Sequence, residues 1–368
     1  MVANTTWNIY NFRMNIIRKL LAEGHEVIVM APVDKYISYQ WKIQGVWHFP
    51  IHQLRRDSIN PIRDIQLTAE LTGLYKRHKP DLIVHYTVKP NIYGGIAARL
   101  AGIPSIAVVT GLGYAFIHNG FVKQTTKSLY KFASHFHRKV VFENQDDKQL
   151  FVEERLLSPD KGVTVKGCGV DLKYYAPVHG ERHADMPTTF TFIGRLLYDK
   201  GIQEFIEAAK IVKDTHPGMR FWIVGEIDRD NPSAIREEDL LRWVRDETVE
   251  YHGATQDVRS FISQSDCIVL PSYREGMSRV IMEAMAMERP VITTDTAGCR
   301  EAVQHQFNGL LIPVRDPQAL AKAMLEFSAL PEEEKRKMGI RGRLRAEEMF
   351  DENEVAKVIY DIIVQSLK

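Results

Sequence analysis

Residues 267–295 read CIVLPSYREGMSRVIMEAMAMERPVITTD and hold a strand, a loop, a helix and a second strand in close succession. The runs CIVL and PVITTD have the composition of buried strands, and an amphipathic helix begins between them near Met277 or Ser278. Strands that alternate with amphipathic helices predict a parallel α/β fold. Two glutamates, Glu275 and Glu283, flank the helix start, and their spacing alone fits a solvated helix face as well as a ligand site.

The same alternation continues through both halves of the chain. In the first half we predict strands at EVIVMAP, DLIVHYT, SIAVVTG and KVVFEN, preceded by a strand at Met1–Ala3 that is either a stub or begins upstream. In the second half we predict strands at TFTFIG, RFWIVG, EYHG, CIVLPS, PVITTD and GLLIPV. The prediction is α/β, with two doubly wound parallel-sheet, Rossmann-like domains that face each other across a cleft.

Chain length also favours two domains, because 368 residues exceed one typical core. The polar, proline-containing stretch YYAPVHGERHADMPT places the boundary near residues 175–187. We therefore predict domains at 1–176 and 187–350. The amphipathic segment 351–368 is a predicted helix that can pack on either domain, including back on the first.

Cysteine usage and hydropathy predict a cytoplasmic protein. Cys168, Cys267 and Cys299 form no C-x-x-C pair, which argues against a zinc site or a disulfide framework. The first residues do not resemble a signal peptide, and the most apolar region is interrupted by Arg99 and Pro104. We expect a soluble protein that is at most peripheral to a membrane.

Charge differs between the halves of the chain. Residues 1–180 contain 23 Lys and Arg against 14 Asp and Glu, a net +9, and the remainder carries −8. The positive charge of the first half predicts either that it binds an anionic partner or that its charged side chains lie on solvated helix faces. The basic amphipathic stretch 120–139 fits an anionic membrane surface or a helix packed on the core. Nucleic acid is a poor partner, because the total charge is near zero and no recognised module is present.

The loop before the helix at 278 has the character of a phosphate site. The free N–H groups and partial positive charge of a helix N-terminus favour an anion, and Gly276 allows close approach. Treated as helical, Glu275 and Glu283 are separated by about 12 Å of rise and about 80° of rotation, or roughly 10 Å in space. This geometry suits a diphosphate at the helix tip, with a sugar held by Glu275 and a ribose held by Glu283.

A second candidate stretch is FIGRLLYDKGIQEFIEA, residues 192–208. Arg195 and Lys200 follow Gly194 at the end of a predicted strand. An arginine can bind two phosphate oxygens and a lysine acts as a point charge, so the pair suits a diphosphate. The alternative, surface cations at a helix start, is disfavoured by the helix dipole.

Asp228-Arg229-Asp230 is a D-x-D sequence of a kind that can bind a metal. Because the two cations already provide positive charge for a diphosphate, we predict no metal and no cofactor.

Taken together, these motifs resemble the retaining glycosyltransferases of family 4, which have the GT-B fold. GRLLYDKG is similar to that family's diphosphate clamp and EGMSRVIME to its E-x7-E donor motif. YHGATQDV, AMERPVITTDTAGCRE and NGLLIPVRDPQAL follow in the expected order. In the first half, ANTTWNIYNFR, TVKPNIYGGIAARLAGIP and VTGLGYAF resemble a subgroup that builds bacterial surface polysaccharides, including transferases that add N-acetylgalactosamine to undecaprenyl-diphosphate-linked saccharides.

The resemblance implies a role for each matched residue. Arg195, Lys200 and Glu275 form the catalytic set, in which the cations neutralise the leaving nucleoside diphosphate and Glu275 holds the sugar hydroxyls. The implied donor-binding set is Gly194, Ala254, Gly276, Met277, Ser278 and Glu283. The family's reaction keeps the anomeric configuration and a leaving phosphate oxygen takes the acceptor's proton, so Glu275 is assigned as neither nucleophile nor general acid.

The first domain is expected to bind the acceptor. The residues assigned to the acceptor side are Thr5, Lys89, Asn91, Thr110, Gly111 and Gly113. Two departures from the family pattern stand out. Thr110-Gly111 replaces a histidine found in many members, although His85 and His118 lie near, and Ser278 replaces a proline.

The leading hypothesis is a retaining, metal-independent glycosyltransferase that moves a hexose or N-acetylhexosamine from a UDP-sugar to a lipid-linked saccharide. One alternative is a GT-B-fold UDP-sugar epimerase, which needs further acid/base carboxylates. Another is a non-catalytic sugar-nucleotide-binding protein, against which the complete charged set argues. A dinucleotide dehydrogenase is disfavoured, because no G-x-G-x-x-G follows a first strand.

Overall fold

The computed structural model describes residues 1–38, 43–55, 60–117, 120–178 and 187–368, which form two compact units. Unit 1 comprises Met1–Gly169 and Glu352–Lys368, and unit 2 comprises Val170–Asp351. The two units meet in the chain at Gly169 and Val170, whereas the boundary predicted from the sequence lies near residues 175–187. Val170 groups with unit 2 because its N–H donates to the Phe350 carbonyl of that unit at 2.8 Å.

Unit 1 contains a parallel sheet. Its strands are β1 (Val27–Ala31), β2 (Val46–Pro50), β3 (Ile83–Tyr86), β4 (Ser105–Val109), β5 (Lys139–Phe142) and β6 (Gly162–Thr164). Val2 forms parallel bridges to Met30 in β1 and to His85 in β3, and so joins the pair β1-β2 to the ladder β3-β4-β5-β6. The predicted first strand is thus a single-residue stub at the centre of the sheet.

Strands β2 and β6 were absent from the sequence prediction. In β2 the side chain of Trp47 is 57% exposed, and in β6 the three residues are half-buried. Both strands lie at the edges of the sheet, where the continuous apolar run typical of a buried parallel strand is not required.

The helices of unit 1 cover the sheet. They are Thr6–Phe12, Met14–Ala22, Pro61–His78, Gly95–Ala101, Tyr114–Ile117, Phe121–Ser134, Gln145–Glu153 and Glu352–Leu367, with shorter turns at Pro90–Gly94 and Pro159–Lys161. Helix Glu352–Leu367 packs Ile359 and Ile363 against Ile16 and Leu20. The closing helix therefore belongs to the hydrophobic core of unit 1.

Unit 2 contains a six-stranded, fully parallel sheet. Its strands are β7 (Thr189–Ile193), β8 (Arg220–Val224), β9 (Glu250–Tyr251), β10 (Cys267–Leu270), β11 (Val291–Thr294) and β12 (Gly309–Ile312). The order across the sheet is β12-β11-β10-β7-β8-β9. The chain winds outward from β7 in one direction and from β10 in the other, so the switch point where such sheets bind ligands lies between these two strands.

The helices of unit 2 alternate with these strands. They are Ile202–Thr215, Glu237–Arg245, Arg259–Gln264, Arg279–Ala286, Cys299–Ala302, Pro317–Ala329 and Glu332–Met349, with a short turn at Tyr198–Lys200. In the described ranges of both units, no helix combines the length and apolar composition that a bilayer crossing requires.

Candidate donor site

The two predicted donor loops leave neighbouring strands at the switch point of unit 2. Residues 194–200 follow β7 and residues 271–278 follow β10. The two strands pair in parallel, with Phe190 opposite Cys267. Because parallel strands end at the same edge of a sheet, loops that are about 75 residues apart in sequence emerge side by side.

Lys200 and Glu275 form an ion pair across these loops. The Lys200 Nζ donates to both carboxylate oxygens of Glu275, at 2.5 and 2.7 Å. The Glu275 side chain is only 9% exposed. An ammonium group has three N–H donors, so Lys200 can hold Glu275 and still donate to a phosphate oxygen. The structure thus joins the cation of one predicted motif to the acid of the other.

Arg195 pairs with a carboxylate that the sequence analysis considered for another role. Its Nη1 donates to Asp228 Oδ2 at 2.6 Å, and the Arg195 side chain stays 40% exposed. Asp228 belongs to the D-x-D sequence, and here it binds the guanidinium. Within residues 187–368 and the other described ranges, no cluster of three or more His, Cys, Asp or Glu side chains is arranged to hold a metal.

The relation between Glu275 and Glu283 differs from the prediction. The helix begins at Arg279 with Ser278 as its N-cap, so Glu275 lies in the preceding loop. The helical rise and rotation used to place the two acids about 10 Å apart therefore do not apply to Glu275. Its position is set instead by Lys200 and by its own N–H, which donates to the Ala297 carbonyl at 3.2 Å.

The loop carrying Glu275 is anchored by the last residue of β11 and the segment that follows it. The Thr294 hydroxyl donates to the Ser272 carbonyl, and the Thr296 hydroxyl donates to the Tyr273 carbonyl at 3.1 Å. Gly298 has φ +77°, and a Cβ built there lies 2.4 Å from the Gly276 carbonyl oxygen. In the sequence, TTDTAGCRE is only a supporting match to the family pattern, and no role is predicted for these residues.

The predicted phosphate-binding backbone is present at the helix start. Gly276, Met277 and Ser278 are buried and directly precede helix Arg279–Ala286. The first N–H groups of an α-helix have no partner within it, so this end offers hydrogen-bond donors to an anion.

The other two predicted donor residues lie at strand ends of the same sheet. Gly194 directly follows β7, and its N–H donates to the Val224 carbonyl at 3.0 Å. Ala254 is exposed in the loop after β9.

Glu283 is buried inside this helix and has two polar neighbours. The Arg279 Nε donates to Glu283 Oε1 at 2.8 Å, and the Tyr175 hydroxyl lies beside the same carboxylate. Burial raises the pKa of the Glu283 carboxyl, while both neighbours oppose that rise. Burial also raises the pKa of Tyr175, and the adjacent Glu283 carboxylate adds to the effect. No local sequence pattern indicates Tyr175, because it lies more than 100 residues away from Glu283.

Three of the predicted acceptor-side residues make contacts within unit 1. The Thr5 hydroxyl accepts the Asn8 N–H and caps helix Thr6–Phe12. The Lys89 Nζ donates to Asp64 Oδ1 at 2.8 Å. Asn91 is 1% exposed and donates to the Val108 carbonyl at 3.0 Å. The buried Asn91 side chain supports the fold, and its role as an acceptor contact stays a prediction.

The remaining acceptor-side residues follow β4. Thr110 and Gly111 are half-buried, and Gly113 is exposed. His85, which lies near the position of the family histidine in the sequence, is fully buried in β3. His118 lies outside the described residues.

Two family models match the chain and together cover more than three quarters of it. "Glycosyl transferases group 1" matches residues 187–329, and "Glycosyl transferase 4-like" matches residues 2–144. With the parallel sheets and the two donor loops, these matches define the chain as a glycosyltransferase of the GT-B class. It belongs to the group 1, family 4-like glycosyltransferases, and the predicted activity is confirmed.

Individual relatives extend over most of the chain. The N,N'-diacetylbacillosaminyl-diphospho-undecaprenol α-1,3-N-acetylgalactosaminyltransferase of Campylobacter jejuni is 29% identical across 98% of this chain and 97% of its own. The UDP-Gal:α-D-GlcNAc-diphosphoundecaprenol α-1,3-galactosyltransferase of Escherichia coli is 29% identical across 74% of this chain and 72% of its own.

Solved structures share the fold. Sucrose-phosphate synthase of Thermosynechococcus elongatus is 19% identical with a TM-score of 0.81, and the match covers 99% of this chain and 98% of that one. Anabaena HepE, solved in complex with UDP, is 18% identical with a TM-score of 0.76 and covers 99% of both chains. These likenesses confirm the predicted fold class of two Rossmann-like domains.

Proposed function

We propose that this glycosyltransferase moves a hexose or N-acetylhexosamine from a UDP-sugar to a lipid-linked saccharide during assembly of a surface polysaccharide or glycan. The observation that carries the donor half is the Lys200–Glu275 pair at the switch point of unit 2. The acceptor half rests on the relatives from Campylobacter jejuni and Escherichia coli, whose names specify undecaprenyl-diphosphate-linked saccharides.

In the proposed donor complex, Lys200 and Arg195 bind the diphosphate and Glu275 accepts hydrogen bonds from the sugar hydroxyls. Negative charge grows on the diphosphate as the glycosidic bond breaks, so cations aimed at it stabilise the transition state more than the ground state. The N–H groups at residues 276–278 bind the same phosphates. Glu283 accepts hydrogen bonds from the ribose, and the uracil lies near Ala254.

The proposed transfer proceeds with retention and without a metal. A phosphate oxygen of the leaving group takes the proton of the acceptor hydroxyl, so no protein carboxylate is assigned as nucleophile or general acid. Residues of unit 1 bind the acceptor, with Thr5, Lys89 and the stretch Thr110–Gly113 as its proposed contacts.

Helix Phe121–Ser134 is the proposed contact with an anionic membrane surface. Phe132 is 55% exposed and Lys131 beside it is also exposed, whereas Tyr130 and Ala133 pack into the core. The helix therefore has one face exposed to solvent and one face packed on the core, which correspond to the two possibilities predicted from the sequence. In sedimentation with phosphatidylglycerol vesicles, Phe132→Ser should reduce binding while Phe307→Ser, a control at an exposed site in unit 2, should not. Equal binding of both variants and the parent would refute this contact.

The donor assignment is tested by thermal shift with UDP, GDP, ADP and a panel of UDP-hexoses and UDP-N-acetylhexosamines, each in EDTA and in Mg²⁺. We expect stabilisation by UDP and by one UDP-sugar in EDTA. Glu283→Gln should reduce it, whereas Glu326→Gln, a control at an exposed position of unit 2, should leave it unchanged. A response to GDP or ADP alone, or none in any condition, would refute the UDP-sugar site.

The transfer itself is tested with the stabilising UDP-sugar and an undecaprenyl-diphosphate-linked saccharide. A product whose new linkage has the donor's anomeric configuration supports retaining transfer. Conversion of the UDP-sugar without any acceptor would instead support the epimerase alternative.

A further inference from the structure

The segment with which unit 2 begins lies against the helix that carries Glu283. The guanidinium of Arg343 donates to the carbonyls of Leu172 and Tyr175, each at 3.2 Å, and to the carbonyl of Ala286 at 2.7 Å. Ala286 is the last residue of helix Arg279–Ala286. One side chain thus fixes the backbone of Tyr175 relative to the helix.

The adjacent residue adds a second attachment within unit 2. The guanidinium of Arg259 lies 3.7 Å from the ring centre of Tyr174 and donates to the Tyr174 carbonyl at 3.3 Å. Arg259 in turn pairs with Asp257 at 2.6 Å. With its backbone held at two points, Tyr175 has little freedom to move away from Glu283.

Tyr175 is 7% exposed, and its hydroxyl lies beside the Glu283 carboxylate and Arg279. Glu283 itself is 6% exposed. A carboxylate has two oxygens and about four acceptor positions. The Arg279 Nε occupies one of them at 2.8 Å, and with the phenol beside the carboxylate, acceptor positions remain for the adjacent hydroxyls of a ribose.

We propose that Tyr175 is a positioning residue that, together with Arg279, fixes the Glu283 carboxylate in the orientation in which it binds the ribose of the donor nucleotide. This inference rests on the proposed function, because it takes the ligand of Glu283 to be a nucleoside. The phenol acts through Glu283 and does not itself touch the nucleotide.

The charges around Glu283 provide a readout that packing alone would not change. Burial and Asp257 raise the pKa of the Glu283 carboxyl, whereas Arg279 and the Tyr175 hydroxyl lower it. Removal of the hydroxyl therefore raises that pKa further. Since protonated Glu283 accepts fewer hydrogen bonds from a ribose, UDP affinity in Tyr175→Phe should begin to fall at a higher pH than in the parent.

The test is calorimetric titration of UDP into the parent, Tyr175→Phe, Glu283→Gln and the double variant, between pH 5.5 and 8. Tyr175→Phe keeps the ring and should weaken UDP binding about tenfold at pH 8. The control Tyr360→Phe, which removes a hydroxyl in unit 1, should not change it. In the Glu283→Gln background, Tyr175→Phe should reduce UDP affinity only slightly, because Tyr175 acts through that carboxylate.

A second cycle is measured without nucleotide, as the urea midpoints of the same four proteins. Positive coupling between Tyr175 and Glu283 is expected, and no coupling would overturn the inference independently of any ligand. Unchanged UDP affinity in Tyr175→Phe, or equal losses in both backgrounds, would also overturn it. A parent protein that binds no UDP refutes the donor assignment and with it the ribose role of Tyr175, while the urea cycle still reports whether the two side chains interact.

Discussion

The Lys200–Glu275 pair has consequences both for stability and for chemistry. A carboxylate that is 9% exposed has lost most of its water, and Lys200 compensates that loss in the free protein. The same ammonium is proposed to bind the diphosphate. A single lysine therefore balances the buried charge of Glu275 and, in the proposed complex, places positive charge where the leaving group develops negative charge.

We predict that Lys200→Met lowers the turnover number about 10²- to 10³-fold, because it removes one electrostatic stabiliser of the leaving group. It should also lower the free energy of unfolding by about 1–3 kcal/mol, since it leaves Glu275 buried without its cation. Both are measured as initial transfer rates and urea unfolding curves.

Two variants separate these effects. Lys322→Met, at a lysine whose side chain is 78% exposed, should match the parent in both measurements. The double variant Lys200→Met with Glu275→Gln should regain stability but remain inactive. Near-parental turnover in either Lys200 variant would contradict the assignment.

At the level of elements, the conformation of the predicted donor loop 271–278 depends on contacts with the end of β11 and with the segment that follows it. Thr294, Thr296 and Gly298 contact its backbone, and Tyr273 in the loop donates through its hydroxyl to Glu204 Oε1 at 2.7 Å. The loop is thus held by neighbours on both sides of the strand that it follows, which fixes Glu275 before any ligand arrives.

Gly298→Ala tests this support. The added methyl carbon would lie 2.4 Å from the Gly276 carbonyl oxygen and 2.7 Å from that of Glu275, so the donor loop must shift. A positive φ adds strain, and we expect a loss of about 1–3 kcal/mol of stability together with weaker UDP binding. Urea unfolding and UDP titration measure the two effects.

The matched control is Gly218→Ala, because no atom lies within 4 Å of a Cβ at that position. It should retain parental UDP affinity. Unaltered UDP affinity in Gly298→Ala would show that the loop does not depend on this contact.

How far the sequence predicts these elements depends on burial and on distance along the chain. All six strands of unit 2 are predicted: five are buried apolar runs whose boundaries carry Gly, Pro and polar residues, and β9 is a two-residue strand at the edge of the sheet. Residues 194–200 and 271–278, which follow β7 and β10, are predicted as site residues because ligands bind at the strand ends of such sheets. Two pairings cannot be predicted from the sequence: Arg195 with Asp228, and Glu283 with Tyr175. Both depend on tertiary contacts that no local sequence pattern indicates.

On the scale of the molecule, unit 1 contains two buried histidines whose protonation opposes folding. His85 and His137 are both buried there, with ring centres 5.5 Å apart. Burial lowers the pKa of His137 to about 4. The Ser105 hydroxyl and the Asn91 carbonyl bind the two ring nitrogens of His137, an arrangement that suits the neutral imidazole.

We predict that unit 1 loses stability as the pH falls from about 6.5, the ordinary pKa of histidine in an unfolded chain, toward 4. In that window the unfolded state binds a proton that folded His137 does not, so acid favours unfolding. Between pH 7.5 and 5.0 the His137 contribution is about 2 kcal/mol. Urea unfolding at the two pH values measures the change.

The comparison uses differences between pH values, because a variant also alters stability at neutral pH. His137→Gln should lose about 2 kcal/mol less than the parent over this range. His216→Gln, at an exposed histidine, should follow the parent. An identical pH dependence in all three proteins would show that His137 titrates normally in the folded state.

The two ends of unit 1 are separated in the chain by the whole of unit 2. During synthesis on the ribosome, residues 1–169 emerge first but lack the helix Glu352–Leu367 that completes their core. Unit 2 is continuous, so all of its residues are synthesised before that helix. The order of maturation therefore need not follow the order of synthesis: unit 1, although it is made first, exposes the apolar face around Ile16 and Leu20 until its last helix is made after unit 2.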